Sequence, residues 1–250
     1  MTPLDELCQI PFHEADAPAR ARILSRLADT ELFAALLSEP VSDIAELRIY
    51  DLPEGRFALA CDREHRLADF IGGPVAHLGL PGRVLAETLA GEGQGLLVNP
   101  GHASQLMLDA TTLSWLVGAL QARPSLTPDE PAQRLAAPTA AAVSLLAEPL
   151  AQRLGDMQGL AQGLALVSAE WADGRRNHAV ILAGVDAKHQ PAIAKALAEL
   201  LAFLPELPGG VDIGFAGGAL PAGALVIEPP ARPEPVQPVR RDPKAPPRLR

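Results

Sequence analysis

The pattern of apolar and polar positions divides the chain into two blocks, each of which mixes helices with strands. In the first block, apolar residues at helical spacing predict helices at about 16–28, 81–90 and 109–120. Asp16 and Asp109 stand where each could cap the helix that follows it. Short apolar runs predict strands at 47–52, 56–62, 95–98 and 104–108, with 67–70 as a short strand-like return and 1–17 as a loose lead-in. The run 31–38 favours a strand, although its apolar residues also fit helical spacing.

The run Gly95-Leu96-Leu97-Val98 organises this first block, because it ends sharply at Asn99-Pro100-Gly101. Proline has a fixed φ and no N–H, and glycine takes positive φ without a Cβ clash. The sequence therefore predicts a buried strand that presents Asn99 where the strand meets a loop.

The second block has the order helix, strand, strand, helix, strand, strand. A helix is predicted at about 139–154, and we expect Pro149 to kink it or end it early. Strands at 159–171 and 175–185 flank Asp173-Gly174, a dipeptide typical of β-hairpins. A helix carrying Ile193 to Leu204 follows, and short strands are predicted at 211–215 and 225–227.

Proline-rich segments follow each block. Residues 122–137 indicate a linker and residues 229–250, with eight prolines, a disordered or polyproline-like tail. We therefore expect an α+β protein made of two small α/β-sandwich-like domains, at 1–121 and 138–228.

Composition and charge restrict the partners. The net charge is −9, and the tail holds six basic and two acidic residues, so the body is more acidic than the whole chain. An acidic body argues against nucleic acid. We expect neither a signal peptide nor a membrane-spanning segment, and Cys8 and Cys61 indicate reduced thiols, which together predict a cytoplasmic protein.

The candidate binding residues lie in two loops. Asn99, Gly101 and His102 form one group, which we interpret as a structural turn or a recognition loop. His77 lies in the glycine-rich loop Gly72–Gly82, and Arg83 lies in the helix that follows, whose N-terminus could hold an anion. That loop has neither of the common phosphate-binding glycine motifs, so a plain connection is the alternative.

No set of residues predicts a catalytic centre, a metal site or a bound cofactor. Asp62, Glu64 and His65 crowd into one charged turn, which is more typical of a solvated surface than of metal ligands. Cys61 could pair with His65 as a nucleophile, but a core-facing thiol is the simpler interpretation. None of the serines lies in a G-x-S-x-G motif.

Several stretches resemble the SseB (enhanced serine sensitivity protein B) family over roughly residues 20–228. In the first block they are the hairpin strand 57–62 with its charged turn 63–67, the helix 81–90, and the stretch 96–101; in the second they are the hairpin, the helix 193–204 and the passage 204–212. Cys61 stands where the family often has an aromatic residue, and the basic tail is not typical of it. The resemblance implies a two-domain α+β protein without an established activity, in some settings linked with type III secretion, and it transfers no catalytic residue.

Two functions remain open. The first is a non-enzymatic cytoplasmic interaction or adaptor protein that binds other proteins, with a homodimer through a sheet edge or the leucine-rich helix as a further option. The second is a small-molecule-binding or enzymatic protein that uses the Gly72–Gly82 loop with Asn99 and His102.

Overall fold

The structure is a computed structural model that describes residues 1–40, 44–127, 132–157, 159–216 and 222–228. These residues contain helices and strands in two separate mixed sheets, so the fold is α+β as expected. The helices are α1 Pro3–Leu7, α2 Ala17–Asp29, α3 Glu64–Ile71, α4 Gly82–Gly91, α5 Ala110–Leu120, α6 Ala140–Asp156 and α7 Gln190–Ala202. The strands are β1 Glu31–Ala35, β2 Ile49–Leu52, β3 Gly55–Cys61, β4 His77–Pro81, β5 Gly95–Val98, β6 Leu106–Leu108, β7 Arg134–Ala136, β8 Gly163–Glu170, β9 Arg176–Ala183, β10 Val211–Ala216 and β11 Leu225–Ile227.

The first sheet has the order β4-β1-β3-β5-β6, and β2 also pairs with β3. Strand β3 runs parallel to β5 and antiparallel to β1 and β2. Because alternate residues of a strand point to opposite faces, Ala58 and Ala60 join the core under α2, α4 and α5, while Leu59 and Cys61 pack with Leu67 of α3 on the other face. Burial on both faces explains the continuous apolar run of β3.

The second sheet has the order β10-β9-β8-β11, with β7 also paired to β8. Leu164 and Leu166 of β8 and Val180 and Leu182 of β9 face a core that α6 and α7 cover. The predicted Asp-Gly hairpin is present, since β8 and β9 pair antiparallel from Gly163↔Ala183 to Glu170↔Arg176.

The two units touch through α5 and α7. Phe203, just after α7, is buried within the core of the first unit, and its ring meets the edge of Trp115 with centroids 5.6 Å apart. Lys195 donates to the main-chain carbonyls of Leu120 and Ala122 at 2.6 and 2.7 Å, next to the end of α5. This lysine satisfies the last carbonyl of α5, which has no partner within the helix, and one carbonyl just beyond the helix.

The stretch 122–137, predicted as a linker, is paired to the second sheet in its described residues. Leu126 forms a parallel bridge with Ile213 of β10, and β7 pairs with β8 from Arg134↔Glu170 to Ala136↔Ser168. The short apolar runs around Leu126 and Leu135 are too brief to stand out between prolines, so the sequence pattern missed this strand. The predicted tail, 229–250, lies outside the described residues.

Four further elements differ from the sequence expectation. Residues 67–70 belong to helix α3 rather than to a strand, and the predicted Gly72–Gly82 loop contains strand β4, which pairs with β1. Pro149 lies inside α6, which continues to Asp156, so of the two expected effects the early end is wrong. The helix loses the N–H that would bind the carbonyl of Leu145. The lead-in contains helix α1, which starts with Pro3 after Thr2. None of the described helices is long and apolar enough to cross a bilayer.

Candidate functional site

Asn99 is fully buried at the turn after β5 and is held in the left-handed region, with φ of 46°. Its Oδ1 accepts from the main-chain N–H of Asp62 at 2.9 Å, and its Nδ2 donates to Ser104 Oγ at 2.9 Å. Asparagine tolerates this backbone conformation better than most residues. Both ends of the side chain are therefore engaged inside the fold.

Gly101 and His102 lie on the exposed side of the same turn. Gly101 has φ of 79°, and its N–H donates to Gln105 Oε1 at 2.8 Å. The N–H of His102 donates to the carbonyl of Asn99 at 3.1 Å. The structure thus brings these three predicted residues together, with Asn99 inside and the other two outside.

His77 and Arg83 lie elsewhere. His77 starts the edge strand β4, where its ring meets the edge of Phe33 and its Nδ1 lies 3.0 Å from the carbonyl oxygen of Val75. Arg83 is the second residue of α4 and pairs with Asp29 of α2 and Glu199 of α7. Among the described residues, neither side chain forms a hydrogen bond or an ion pair with Asn99 or His102. Arg83 and His102 also line different cavities.

A buried group of charged and polar side chains surrounds Asn99, and the sequence reasoning did not recognise it. We call it the Arg66 cluster, and its members are Thr2, Asp5, Asp62, Arg66, Asn99 and Ser104. Asp62 follows β3 and Asn99 follows β5. Because β3 and β5 are parallel neighbours, their carboxyl ends meet at one edge of the sheet, where polar groups collect.

Arg66 connects two carboxylates in this cluster. It binds Asp5 through both guanidinium nitrogens, with Nη2 2.6 Å from Oδ2 and Nη1 3.1 Å from Oδ1. Nη1 also lies 3.1 Å from Asp62 Oδ1, one helical turn earlier. Hydrogen bonds from Arg66 hold the pKa of Asp5 well below its usual range, and the Asp5 carboxylate raises the pKa of Arg66. Asp5 is therefore ionised, and its charge is neutralised locally.

Two hydroxyl groups complete the hydrogen bonding of the carboxylates. Ser104 Oγ donates to Asp5 Oδ1 at 2.5 Å, and Thr2 Oγ1 donates to Asp62 Oδ2 at 2.6 Å. The main-chain N–H of Thr2 donates to Asp5 Oδ2 at 2.8 Å, which closes a capping box at the start of α1. Mutual satisfaction of this kind is what allows charged side chains to stay buried.

The signals for this cluster were present in the sequence. Thr2 and Asp5 have the spacing of a capping box, and Asp62 and Arg66 are four residues apart, as helical ion pairs are. What the sequence could not supply was the spatial link between α1 and α3, which are sixty residues apart along the chain.

The cluster opens to the surface through one cavity. The cavity has a volume of about 430 Å³, and Asp5, Cys8, Arg66 and His102 are among its lining residues. The predicted residue His102 therefore shares a cavity with Arg66. Burial raises the pKa of the Cys8 thiol and raises that of Cys61 to about 11, so both cysteines are neutral thiols near pH 7.

A second concave surface lies between the two units. We call it the Trp115 groove, which has a volume of about 590 Å³. Its apolar walls come from Phe12, Ala21, Leu24, Trp115, Phe203 and Leu204. The indole of Trp115 is 49% exposed at this groove. Arg20 supplies the only charged side chain among the lining residues.

The charged groups of the Arg66 cluster, Asp5, Asp62 and Arg66, are engaged with one another. Among the described residues, no group of three or more histidine, cysteine, aspartate and glutamate side chains is placed to hold a metal ion.

Comparison with known proteins gives one match, to a family model that covers most of the first unit. No curated protein and no solved structure gives a significant match to this chain. Residues 12–115 match the family model described as the SseB protein N-terminal domain. The matched range runs from just before α2 into α5 and includes every strand of the first sheet. The first unit of the chain is therefore an SseB N-terminal domain.

Proposed function

We propose that this SseB-family chain is a non-enzymatic cytoplasmic adaptor protein that binds another protein through the Trp115 groove. The observation that carries the proposal is the half-exposed indole of Trp115 in an apolar groove. Exposed apolar surface of this kind is commonly a protein-binding site, because removing apolar surface from water is favourable in free energy.

The lining indicates the chemistry of the partner segment. Its apolar residues favour a segment with large apolar side chains, and the lining residue Arg20 favours an acidic residue beside them. The partner is thus an apolar segment that carries an aspartate or glutamate. A second copy of the chain is the competing occupant.

The polar residues support a role without catalysis. The side chains of Asp5, Asp62, Arg66 and Ser104 are bound to one another, and their hydrogen bonds hold α1 to the first sheet. The cytoplasmic location rests on the acidic composition and on the two free, buried cysteines, which suit a reducing compartment.

Site-specific photo-crosslinking tests the proposal. A photoreactive amino acid replaces Thr111, which lines the groove, and the matched control replaces Thr88, an exposed threonine on α4. We expect one partner to be crosslinked at position 111 in cells and not at position 88. Mass spectrometry of the adduct should map an apolar segment containing an acidic residue.

The same experiment in a Trp115→Ser background separates binding from chance proximity. We expect the adduct to disappear with Trp115→Ser and to remain with Met107→Ser, which changes another exposed apolar residue. Adducts that survive Trp115→Ser, or that join two copies of this chain, would contradict the proposal.

A further inference from the structure

We infer that the Arg66 cluster is a carboxylate-binding site for an acidic residue flanked by leucine in a partner protein, and that α1 occupies this site with Asp5 as an internal ligand. The inference takes from the proposed function only that the partner is a protein. It concerns a different surface, so it can succeed or fail independently of the Trp115 groove.

Asp5 is bound as a ligand carboxylate would be. Two parallel N–H groups of Arg66 reach its two oxygens at 3.1 and 2.6 Å, and Ser104 Oγ donates to Oδ1 at 2.5 Å. A bidentate arginine with an added hydroxyl donor is the usual protein arrangement for recognising a carboxylate.

The receptor side of the contact is held in place without α1. Arg66 keeps its hydrogen bond to Asp62 at 3.1 Å, and Ser104 keeps the hydrogen bond from Asn99 at 2.9 Å. Asn99 is fixed in turn by the N–H of Asp62. All four of these residues lie inside the range 12–115 that matches the SseB N-terminal domain. Removal of Asp5 would therefore leave donors that remain oriented toward a missing carboxylate.

The occupying segment has the features of a detachable one. Helix α1 has five residues, and a helix this short is not stable by itself in water. It lies outside the matched range and depends on Leu4, which is fully buried in the core of the first unit, and on Asp5. A surface cavity of about 430 Å³ adjoins Asp5 and Arg66, which gives a competing carboxylate a path to the site.

The internal ligand defines the chemistry of the external one. The segment Thr2-Pro3-Leu4-Asp5-Glu6-Leu7 places two acidic residues between two leucines, and Arg66 binds the first of them, Asp5. Leu4 is buried in the core of the first unit, and Leu7 is partly buried against it. A partner segment that replaces it needs the carboxylate for Arg66 and Ser104 and a leucine for the position of Leu4.

Chemical rescue with a small carboxylate tests the receptor in the full chain. The Asp5→Ala variant vacates the carboxylate position, and sodium acetate is the probe. We expect acetate to raise the melting temperature of Asp5→Ala by several degrees more than the same concentration of sodium chloride does. Wild type should show no such difference, and neither should the Asp5→Ala, Arg66→Met double variant. An equal gain in the double variant, or no gain specific to acetate, overturns the inference.

Peptide binding tests the partner chemistry and covers the case in which Asp5→Ala does not fold. The Asp5→Asn variant keeps the shape of the side chain but cannot offer Arg66 two carboxylate oxygens. Fluorescence anisotropy with a labelled, capped Thr-Pro-Leu-Asp-Glu-Leu peptide should show saturable binding to this variant. A peptide with asparagine in place of its aspartate should bind this variant more weakly, by a factor of about ten or more.

A final comparison separates this site from the Trp115 groove. Trp115→Ser should leave peptide binding to Asp5→Asn unchanged, because the peptide occupies the Arg66 cluster. Equal binding of both peptides, or no binding of either, overturns the inference and leaves the groove proposal standing. Loss of peptide binding with Trp115→Ser would assign the peptide to the groove and would also overturn it.

Discussion

Asn99 meets two requirements that few residues meet together. Its backbone lies in the left-handed region, and both ends of its buried amide are hydrogen-bonded, to Asp62 and to Ser104. Asn99→Ala loses both hydrogen bonds and adds backbone strain, so we expect a loss of about 2–4 kcal/mol in the free energy of unfolding. Asn99→Gly loses the hydrogen bonds without the strain and should be about 1 kcal/mol less damaging than Asn99→Ala. Urea unfolding followed by tryptophan fluorescence measures both; equal losses would show that strain is absent.

Ionisation of the Asp5 carboxylate makes the stability of the folded protein depend on pH. Its pKa in the folded protein lies below the ordinary value of 3.8, chiefly because Arg66 donates hydrogen bonds to it. A lowered pKa stabilises the folded state above the ordinary value, and this stabilisation is lost as the pH falls below about 4. We expect wild type to be more stable than Asp5→Asn at pH 7 and the difference to shrink below pH 4. Urea unfolding at pH 7, 5, 4 and 3 measures it, and a constant difference would contradict the expectation.

At the scale of elements, one glycine sets how closely α4 approaches α2. A Cβ built on Gly82 would lie 2.1 Å from the carbonyl oxygen of Leu27, whereas one built on Gly91, at the other end of α4, meets nothing within 4 Å. Gly82→Ala must therefore separate the two helices, and we expect it to destabilise the protein by about 1–3 kcal/mol.

Gly91→Ala is the matched control for that substitution in the same helix. It removes a residue of low helix propensity without a clash, so we expect it to be neutral or stabilising by up to about 1 kcal/mol. The same urea titration compares the two. Effects of equal sign and size would mean that packing at Leu27 does not distinguish these positions.

The elements also show what the sequence could and could not predict. The apolar runs, the Asp16 and Asp109 caps and the Asp173-Gly174 turn predicted most helices and the second hairpin, because those signals are local. Strand β4 was missed because an edge strand next to proline and glycine lacks a clear alternation, and its pairing with β1 decides its conformation. At the candidate site, Asn99 and His102 were found from a turn signal. Arg66 and Asp5 were not found, because only the fold brings α1 next to α3 and the local sequence carries no signal for that contact.

At the scale of the whole molecule, the interface between the units combines an apolar contact with ion pairs. Phe203 enters the first core, and Asp29 pairs with both Arg83 and Arg153. Burial opposes ionisation of Asp29, but the hydrogen bonds from the two arginines outweigh it and lower its pKa. Phe203 thus supplies the apolar part of the interface, and the pair Asp29–Arg153 supplies part of its charged contact.

We expect Phe203→Ala to divide thermal unfolding into two transitions, because the substitution opens a cavity in the first core and removes the contact with Trp115. Wild type should unfold in a single cooperative transition by differential scanning calorimetry. Leu37→Ala, which shortens a 60% exposed side chain, is the control and should retain the single transition. Two transitions already present in wild type would show that the interface does not couple the units.

The pairing of residues 125–127 and 134–136 with the second sheet has a consequence for how that unit can exist alone. Main-chain bonds join Ser125 and Thr127 to Ile213 on the outer side of β10, and β7 pairs with residues 168–170 of β8. Strands with free edges tend to associate with other chains. A fragment that begins at residue 138 would expose both of these edges and should precipitate or self-associate. A fragment that begins at residue 122 would retain the segments that pair with both edges.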